Sequence, residues 1–314
     1  MNRRHFLGTT AAGLLASFVP NRFVSGASFN LEGVKIGTIT YSYRSLPGSA
    51  QELLGYLKQA GMDTVELMGG PAEVYAGGPT RPPFRRRRGS NVSEEELAKI
   101  RAQYKAYNEE ARAWREGASF EKFEELGRMY KAGGIDIDIL KLGDPSWSDK
   151  EIDYAFMAAK AMGARGISFE ISNVGAERVA PFADKHEMYV GLHNHTQVGD
   201  EGFSFDVPLS YSRYIMLNLD IGHYVAGTNE SPIPVIKKYH DRITHLHLKD
   251  RKKDNGENVP WGEGDTPIVE VLQLLKKERY PITAMIELEY EVPEGSDVLT
   301  EMAKCVEYCR KALA

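Results

Sequence analysis

Hydrophobic residues along this chain follow two alternating spacings. Short runs in which apolar residues alternate with small polar ones, such as VKIGTITYS at 34–42, predict β-strands. Between these runs, apolar residues recur at helical spacing, as Leu53, Leu54 and Leu57 do, and Gly61 follows where that helix would end. The predicted strands are 34–42, 64–68, 135–142, 166–171, 187–194, 214–220, 243–248 and 282–288. The predicted helices cover 51–60, 93–115, 119–132, 149–162, 176–186, 233–239, 267–279 and 298–313.

Eight strands that alternate with helices predict a closed parallel barrel, the (β/α)8 or TIM-barrel architecture. A doubly wound open sheet is the alternative. It would need a phosphate-binding glycine loop after the first strand, and GTITYS at 37–42 is not such a loop. The chain has 314 residues, 42% of them hydrophobic, which is enough to build such a barrel as a single domain.

The first 27 residues are predicted to lie outside the barrel. Arg3 and Arg4 precede an apolar run at 9–19, and Ser25-Gly26-Ala27 offers a small-residue cleavage site, so the segment resembles a twin-arginine signal peptide. The apolar run is too short to span a bilayer as a mature helix. We therefore expect a mature barrel at 28–314, exported by a bacterium to the periplasm or beyond and without a membrane span.

A second unusual stretch, 69–91, is rich in glycine, proline and arginine and is predicted to be an irregular insertion after the second strand. Its four consecutive arginines, at 85–88, are either a solvated charge run or a contact for an anionic ligand. The formal net charge of −5 gives the chain no general attraction for nucleic acid or for an anionic membrane. A nucleic-acid partner is not expected.

Residues suited to metal and acid–base chemistry are concentrated at the ends of the last five predicted strands. They are Glu170, His193, His195, Asp220, His223, His245, His247, Glu287 and Glu289. In a parallel barrel these strand ends meet at one mouth, and carboxylates with neutral imidazoles hold divalent metals that polarise sugar oxygens. Strand alternation puts the deeper carboxylate of the 287–289 pair toward the barrel centre, and the later histidine of the 245–247 pair nearer the mouth. The pattern predicts one divalent metal, whether Mn, Co, Mg or Zn.

Four short motifs carry a resemblance to a known family. Asp220-Ile221-Gly222-His223, His247-Leu248-Lys249-Asp250, WGEGD at 261–265 and Ile286-Glu287 are similar to the sugar phosphate isomerase/epimerase group of xylose isomerase-like TIM barrels. The resemblance implies that Asp220, His247 and Glu287 are metal ligands and that His223 contacts the substrate. It covers the chain from about residue 34 onward.

The fourth metal ligand is open, because the family usually has a glutamate at the end of strand five and this chain has His193-Asn194-His195 there. Glu170 could reach in from strand four and leave His195 free for acid–base work. Alternatively, His193 itself could bind the metal. We favour Glu170, because a site for sugar oxygens is typically rich in carboxylates.

The other mouth residues are predicted to contact the substrate. They are Glu66, Lys141, His193, His223, Lys249 and Trp261. The indole of Trp261 offers a flat apolar face on which a sugar ring stacks well. Lys249 could instead pair with Asp250 at the barrel rim.

These features predict a divalent-metal-dependent sugar isomerase or epimerase. A base at the mouth, whether Glu170, His195 or Glu287, would remove a proton next to a carbonyl group and form a metal-stabilised ene-diolate. An exported lyase or hydrolase of 3-keto-glycosides is the alternative, since the same site would expel a neighbouring glycosidic oxygen. A non-catalytic sugar-binding barrel is the alternative of another class. A small sugar or keto-sugar is the expected partner, and a homo-oligomer is compatible with the sequence.

Overall fold

A closed barrel of eight parallel strands forms the centre of the protein in the computed structural model, which describes residues 30–83 and 93–314. The signal-like segment 1–27 and the arginine run 85–88 lie outside the described residues. The strands are β1 (Val34–Ile39), β2 (Thr64–Met68), β3 (Asp136–Lys141), β4 (Gly166–Glu170), β5 (Tyr189–His193), β6 (Ile215–Asp220), β7 (Ile243–Leu248) and β8 (Thr283–Ile286). Each strand pairs with the next, and β8 pairs with β1 to close the sheet. The predicted TIM barrel is confirmed.

Helices fill the connections between successive strands. They are Ala50–Ala60, Gly69–Tyr75, Glu94–Arg115, Glu121–Ala132, Asp149–Met162, Asn173–His186, Asp206–Leu209, Ile221–Thr228, Ile233–Tyr239, Ile268–Glu278 and Val298–Leu313. Capping explains several starts: Ser93 accepts a hydrogen bond from the Glu96 N–H at 3.2 Å, and the Glu96 carboxylate accepts one from the Ser93 N–H at 3.0 Å. Before the barrel, a two-residue strand at Asn30–Leu31 pairs antiparallel with β1.

The predicted boundaries need three corrections. The insertion predicted to be irregular begins with a helix, Gly69–Tyr75, so its first third is regular. The first strand stops at Ile39, because Thr40–Tyr43 turns as a 3-10 helix across the barrel mouth. The short helix Ile221–Thr228 starts directly after β6, because the Asp220 carboxylate caps it.

Polar side chains occupy the middle of the barrel, beneath the mouth. Glu66, Ser168 and His245 are all fully buried and meet there. Gly191 on β5 makes room for them, since a Cβ at this position would lie 3.3 Å from the imidazole of His245. The barrel therefore supports its mouth from below with a hydrogen-bonded layer. Among the described residues, no helix is long and apolar enough to cross a membrane.

Candidate metal and catalytic centre

Four potential metal donors converge where β5 to β8 end. One nitrogen or oxygen atom from each of His193, Asp220, His247 and Glu287 lies within 4.8 Å of the others, and all four side chains are buried. His247 Nδ1 is 2.9 Å from Glu287 Oε2, and His193 Nε2 is 3.3 Å from Asp220 Oδ2. The structure thus groups His193, rather than Glu170, with the three ligands that the family resemblance implies.

Each histidine of this group is held from behind by a carboxylate. The Nε2–H of His247 donates to Glu66, which leaves Nδ1 turned toward Asp220 and Glu287. Nδ1 of His193 lies 3.0 Å from Glu170 Oε2, so the Nε2 atom of that ring faces Asp220. A carboxylate behind a histidine is the arrangement that orients metal-binding imidazoles.

Glu66 therefore does not lie at the mouth as predicted. It is fully buried below His247, and its carboxylate also accepts hydrogen bonds from Ser168 and from His245 at 3.2 Å. Burial alone would raise the pKa of Glu66, but His247 and His245 hold the pKa of this carboxyl well below its usual range. The residue is a support for the centre and is out of reach of a substrate.

Hydrogen bonds with the Asn194 side chain and with the His223 backbone position Asp220. The amide side chain of Asn194 accepts a hydrogen bond from the Asp220 N–H at 2.9 Å and donates to the Asp220 carbonyl at 3.1 Å. Oδ1 of Asp220 accepts the N–H of His223 at 2.7 Å, so Oδ2 is the oxygen that faces the other donors. The capping bond of the following helix thus also fixes the aspartate.

Lys249 places a buried ammonium group in the centre. It is 2% exposed, and Nζ lies 2.9 Å from both Asp220 Oδ2 and Glu287 Oε2 and also contacts Glu289. Burial would lower the pKa of Lys249, but the three carboxylates raise it above its ordinary value. Lys249 does not pair with Asp250, whose carboxylate instead accepts the N–H groups of Gly262, Gly264 and Thr266.

The more accessible groups of the centre gather around Glu170. Its side chain is about half exposed, with Oε2 at 2.7 Å from His195 Nε2 and Oε1 at 3.1 Å from Lys141 Nζ. Burial would raise the pKa of Glu170, but His193, His195 and the Lys141 ammonium hold it well below its usual range. The hydrogen bond to Glu170 raises the pKa of His195. An ionised carboxylate and a readily protonated imidazole thus lie side by side at the mouth.

His223, which the sequence predicted to contact the substrate, lies beside Lys249. Its Nε2 is 3.2 Å from Lys249 Nζ, and its Nδ1 is 2.6 Å from a guanidinium nitrogen of Arg251. Burial lowers the pKa of His223 to about 3, which keeps the imidazole neutral at physiological pH. Trp261 is elsewhere: its ring packs edge-on against Tyr308 of the last helix, with centroids 5.6 Å apart.

Three residues of the centre were missed or undervalued in the sequence. Arg251 contacts His223, Glu289 contacts Lys249, and Asn194 holds Asp220. Alternation along β7 could have indicated the first, because residues 245, 247, 249 and 251 share a parity. Glu289, two residues beyond Glu287, shares its parity in the same way, and the sequence named it as a candidate without giving it a role.

The donor set fits a divalent metal ion. His247 Nδ1 and Glu287 Oε2 are buried and 2.9 Å apart, and within the described parts of the chain they meet through ion-pair contacts rather than through hydrogen bonds of good geometry. Two imidazole nitrogens and two carboxylate oxygens suit Mn, Co or Zn better than a site built only from oxygen donors would. Glu287 and Glu66 outweigh the effect of burial and raise the pKa of His247 to about 10, so metal binding there has to displace a proton.

Two features define the class of protein: a closed parallel barrel, and a buried centre of histidines and carboxylates at its C-terminal mouth. Residues 175–309 match the family model described as "Xylose isomerase-like TIM barrel". The chain has the xylose isomerase-like fold that its motifs predicted.

Known proteins with similar sequences or folds agree with this class. Inosose dehydratases of Clostridium tetani and Clostridium botulinum are each 26% identical, over 45% and 37% of this chain. The alignments span only about half of these relatives' length, 53% and 46%.

Solved structures share the fold at low sequence identity. A sugar phosphate isomerase/epimerase of Parabacteroides distasonis has a TM-score of 0.56 at 16% identity, covering 88% of this chain and 93% of its own. The probable 3-DHS dehydratase AsbF of Bacillus anthracis has a TM-score of 0.57 at 14%, covering 87% and 99%. The 3-keto-D-glucoside 4-epimerase YcjR of E. coli has a TM-score of 0.56 at 13%, covering 88% and 99%.

Proposed function

We propose that this protein is a divalent-metal-dependent enzyme that isomerises or epimerises a sugar by removing a proton from the carbon next to a carbonyl group. The convergence of His193, Asp220, His247 and Glu287 within 4.8 Å at the barrel mouth is the observation that supports this most directly. These four residues would hold the metal. When bound, the metal would polarise the substrate carbonyl and offset the negative charge that develops on its oxygens.

Proton transfer is assigned to Glu170 and His195. Both side chains are about half exposed, and Glu170 Oε2 and His195 Nε2 are 2.7 Å apart, so a substrate at the mouth can touch either. The Glu170 carboxylate accepts the proton, and His195 donates one when the product forms. Glu287 is less suited to be the base, because its carboxylate is buried against His247 and Lys249. Lys249 and His223 contact the substrate oxygens.

Elimination is the second candidate outcome. If the carbon beyond the one that loses its proton carries an oxygen substituent, the same ene-diolate expels that oxygen, which gives a dehydratase or a lyase of 3-keto-glycosides. The similarity to proteins named inosose dehydratases supports elimination as a candidate reaction. The twin-arginine-like segment at 1–27 supports a protein that acts in the bacterial periplasm, where glycosides can be encountered.

Solvent deuterium uptake tests the proposed chemistry. An inosose and a 3-keto-glucoside are incubated with the protein and Mn²⁺ in D2O, and NMR follows deuterium at the carbon next to the carbonyl group. We expect exchange with the wild type and a loss of about 100-fold or more in Glu170→Gln, since general acid–base groups typically contribute that much. Retention of the oxygen substituent identifies isomerisation or epimerisation, and its loss identifies elimination. No exchange with either substrate would contradict the proposal.

Metal content tests the ligand assignment separately. We expect one metal ion per chain after reconstitution with Mn²⁺ or Co²⁺, lost in His193→Gln and retained in Glu170→Gln. The reverse result would make Glu170 the fourth ligand, as the sequence suggested. A wild-type protein that holds no metal and catalyses no exchange would leave the non-catalytic sugar-binding barrel as the better explanation.

A further inference from the structure

A cavity of 610 Å³ opens beside the C-terminal ends of the first strands. The described residues in its walls are Tyr41, Arg81, Pro82 and Tyr104. Tyr41 follows β1, Arg81 and Pro82 follow β2 and its short helix, and Tyr104 belongs to the long helix Glu94–Arg115. Since the connections after the strands of a parallel barrel surround its mouth, this cavity and the charged centre open on the same end of the molecule.

The wall of this cavity is bonded to the segment that carries Glu287. Tyr41 lies in the turn Thr40–Tyr43, where Ser42 Oγ accepts the N–H of Leu288 at 3.0 Å. Arg44, the residue after this turn, donates from its side chain to the Leu288 carbonyl at 2.7 Å. These hydrogen bonds fix the position of the Tyr41 turn relative to Glu287.

Both aromatic rings are held in place by cations and hydrogen bonds. The Arg44 guanidinium lies 4.7 Å from the centre of the Tyr41 ring, and Arg81 lies 5.4 Å from the centre of the Tyr104 ring. The Tyr104 hydroxyl donates to the carbonyl of Pro82 at 3.0 Å. Tyr41 nevertheless remains 38% exposed, which makes it one of the more exposed large rings of the described chain.

The chemistry of these walls suits a carbohydrate ring. Tyrosine rings offer flat apolar faces to the C–H groups of a sugar, and a guanidinium offers several N–H donors to its hydroxyl groups. Within the described parts of the chain, the Arg81 guanidinium lies over the Tyr104 ring and forms no ion pair with a carboxylate. None of the described residues that line the cavity is acidic.

We propose that this tyrosine–arginine cavity binds a second sugar ring, so that the substrate is a glycoside or disaccharide whose first ring lies at the charged centre. The inference rests on the proposed function, because it takes the ring at the centre to be a sugar. It adds a binding subsite formed by Tyr41, Arg81 and Tyr104, and it favours glycosides over free monosaccharides as the substrate class.

Binding measured by saturation-transfer NMR and calorimetry on the full chain tests this subsite without requiring turnover. The probes are cellobiose, maltose, lactose and trehalose, each compared with methyl glucoside. We expect at least one disaccharide to bind about tenfold more tightly than methyl glucoside, a difference of the size that one aromatic contact supplies. Tyr41→Ala and Tyr104→Ala should remove this preference, while Tyr41→Phe should keep it.

Tyr211→Ala is the matched control, because Tyr211 is similarly exposed, at 36%, and precedes β6 at the opposite end of the barrel. Thermal melting shows whether each variant is folded. No preference for any disaccharide, or equal loss of it in Tyr211→Ala, would overturn the subsite. A disaccharide preference without deuterium exchange on either keto-sugar would keep the subsite and reject the proposed reaction. Deuterium exchange without a disaccharide preference would reject the subsite and keep the proposed reaction.

Discussion

The two ends of the barrel both carry buried or partly buried charges, and the charges are paired differently at each end. At the N-terminal end, Arg165 makes two 2.9 Å hydrogen bonds to the Asp138 carboxylate and a third, at 2.7 Å, to the carbonyl of Thr244. At the mouth, a single ammonium, that of Lys249, faces three carboxylates. One-to-one pairing satisfies both partners and leaves nothing for a ligand, whereas the shared lysine leaves carboxylate oxygens that a metal or substrate can use.

Cavity volume does not point to the candidate centre. A cavity of 890 Å³ lies at the N-terminal end, between the helices Glu121–Ala132 and Asp149–Met162. Its carboxylates each pair with one cation: Asp138 with Arg165, Asp136 with Lys131 at 2.5 Å, and Glu124 with Arg128 at 3.6 Å. The two ends therefore differ in whether each carboxylate has its own cation or shares one.

Of the substitutions that compare the two ends of the barrel, Lys249→Met should have the largest effect on the stability of the protein. The change keeps much of the side-chain volume but leaves Asp220, Glu287 and Glu289 without their shared cation. Removing one partner of a buried ion pair typically costs several kcal/mol, so we expect Lys249→Met to lose about 3 kcal/mol of unfolding free energy in EDTA. Denaturant unfolding with and without Mn²⁺ measures this loss.

Added Mn²⁺ should reverse much of that destabilisation, because a divalent cation bound to Asp220 and Glu287 supplies the missing positive charge. Arg165→Met is the matched control: it removes a cation at the opposite end, and Mn²⁺ should not restore its stability. Unchanged stability of Lys249→Met in EDTA, or equal rescue of both variants, would contradict the contrast between shared and one-to-one pairing.

A smaller effect is expected from Glu66→Gln, which tests the support beneath the mouth. Glutamine keeps the shape of the side chain but offers His247 an uncharged acceptor. Loss of a carboxylate behind a metal-binding histidine typically weakens metal affinity by about 10- to 100-fold, and we expect a change of that size for Mn²⁺ measured by calorimetry. Ser168→Ala, which removes a neutral donor to Glu66, should change the affinity less. Equal affinities of Glu66→Gln and wild type would show that Glu66 is only a packing residue.

The sequence predicted the barrel and three members of its centre for the same physical reason. Asp220 is the last residue of β6, His247 is the last but one of β7, and Glu287 directly follows β8. Strand order and alternation therefore already bring the three together. Backbone periodicity gave the wider set of candidates at the strand ends, and the resemblance to a known family singled out these three.

The sequence could not decide between His193 and Glu170, because both lie at strand ends on adjacent, paired strands. The choice depends on which side chain turns inward: the His193 ring is buried toward Asp220, and the Glu170 carboxylate is half exposed behind it. The depth of Glu66 was missed for a related reason, since Glu66 lies two residues before the end of β2 and its side chain turns inward beneath His247. Contacts of this kind depend on three-dimensional packing.

The smallest effect should come from Asp138→Asn at the N-terminal end, and its pH dependence tests whether that pair acts through charge. Burial would raise the pKa of Asp138, but the hydrogen bonds and charge of Arg165 lower it below its ordinary value. A carboxyl with a lowered folded-state pKa stabilises the protein at neutral pH, and this contribution disappears as the pH falls below about 4, where the unfolded chain takes up the proton. We expect Asp138→Asn to cost about 1 kcal/mol of unfolding free energy at pH 7, since Arg165 is partly exposed and keeps its bond to Thr244.

The difference in melting temperature between wild type and variant should shrink from pH 7 to pH 3.5 and be unaffected by Mn²⁺. A difference that stays constant with pH would mean that Asp138 acts through shape rather than charge, and one that responds to Mn²⁺ would mean that the two ends of the barrel are not independent.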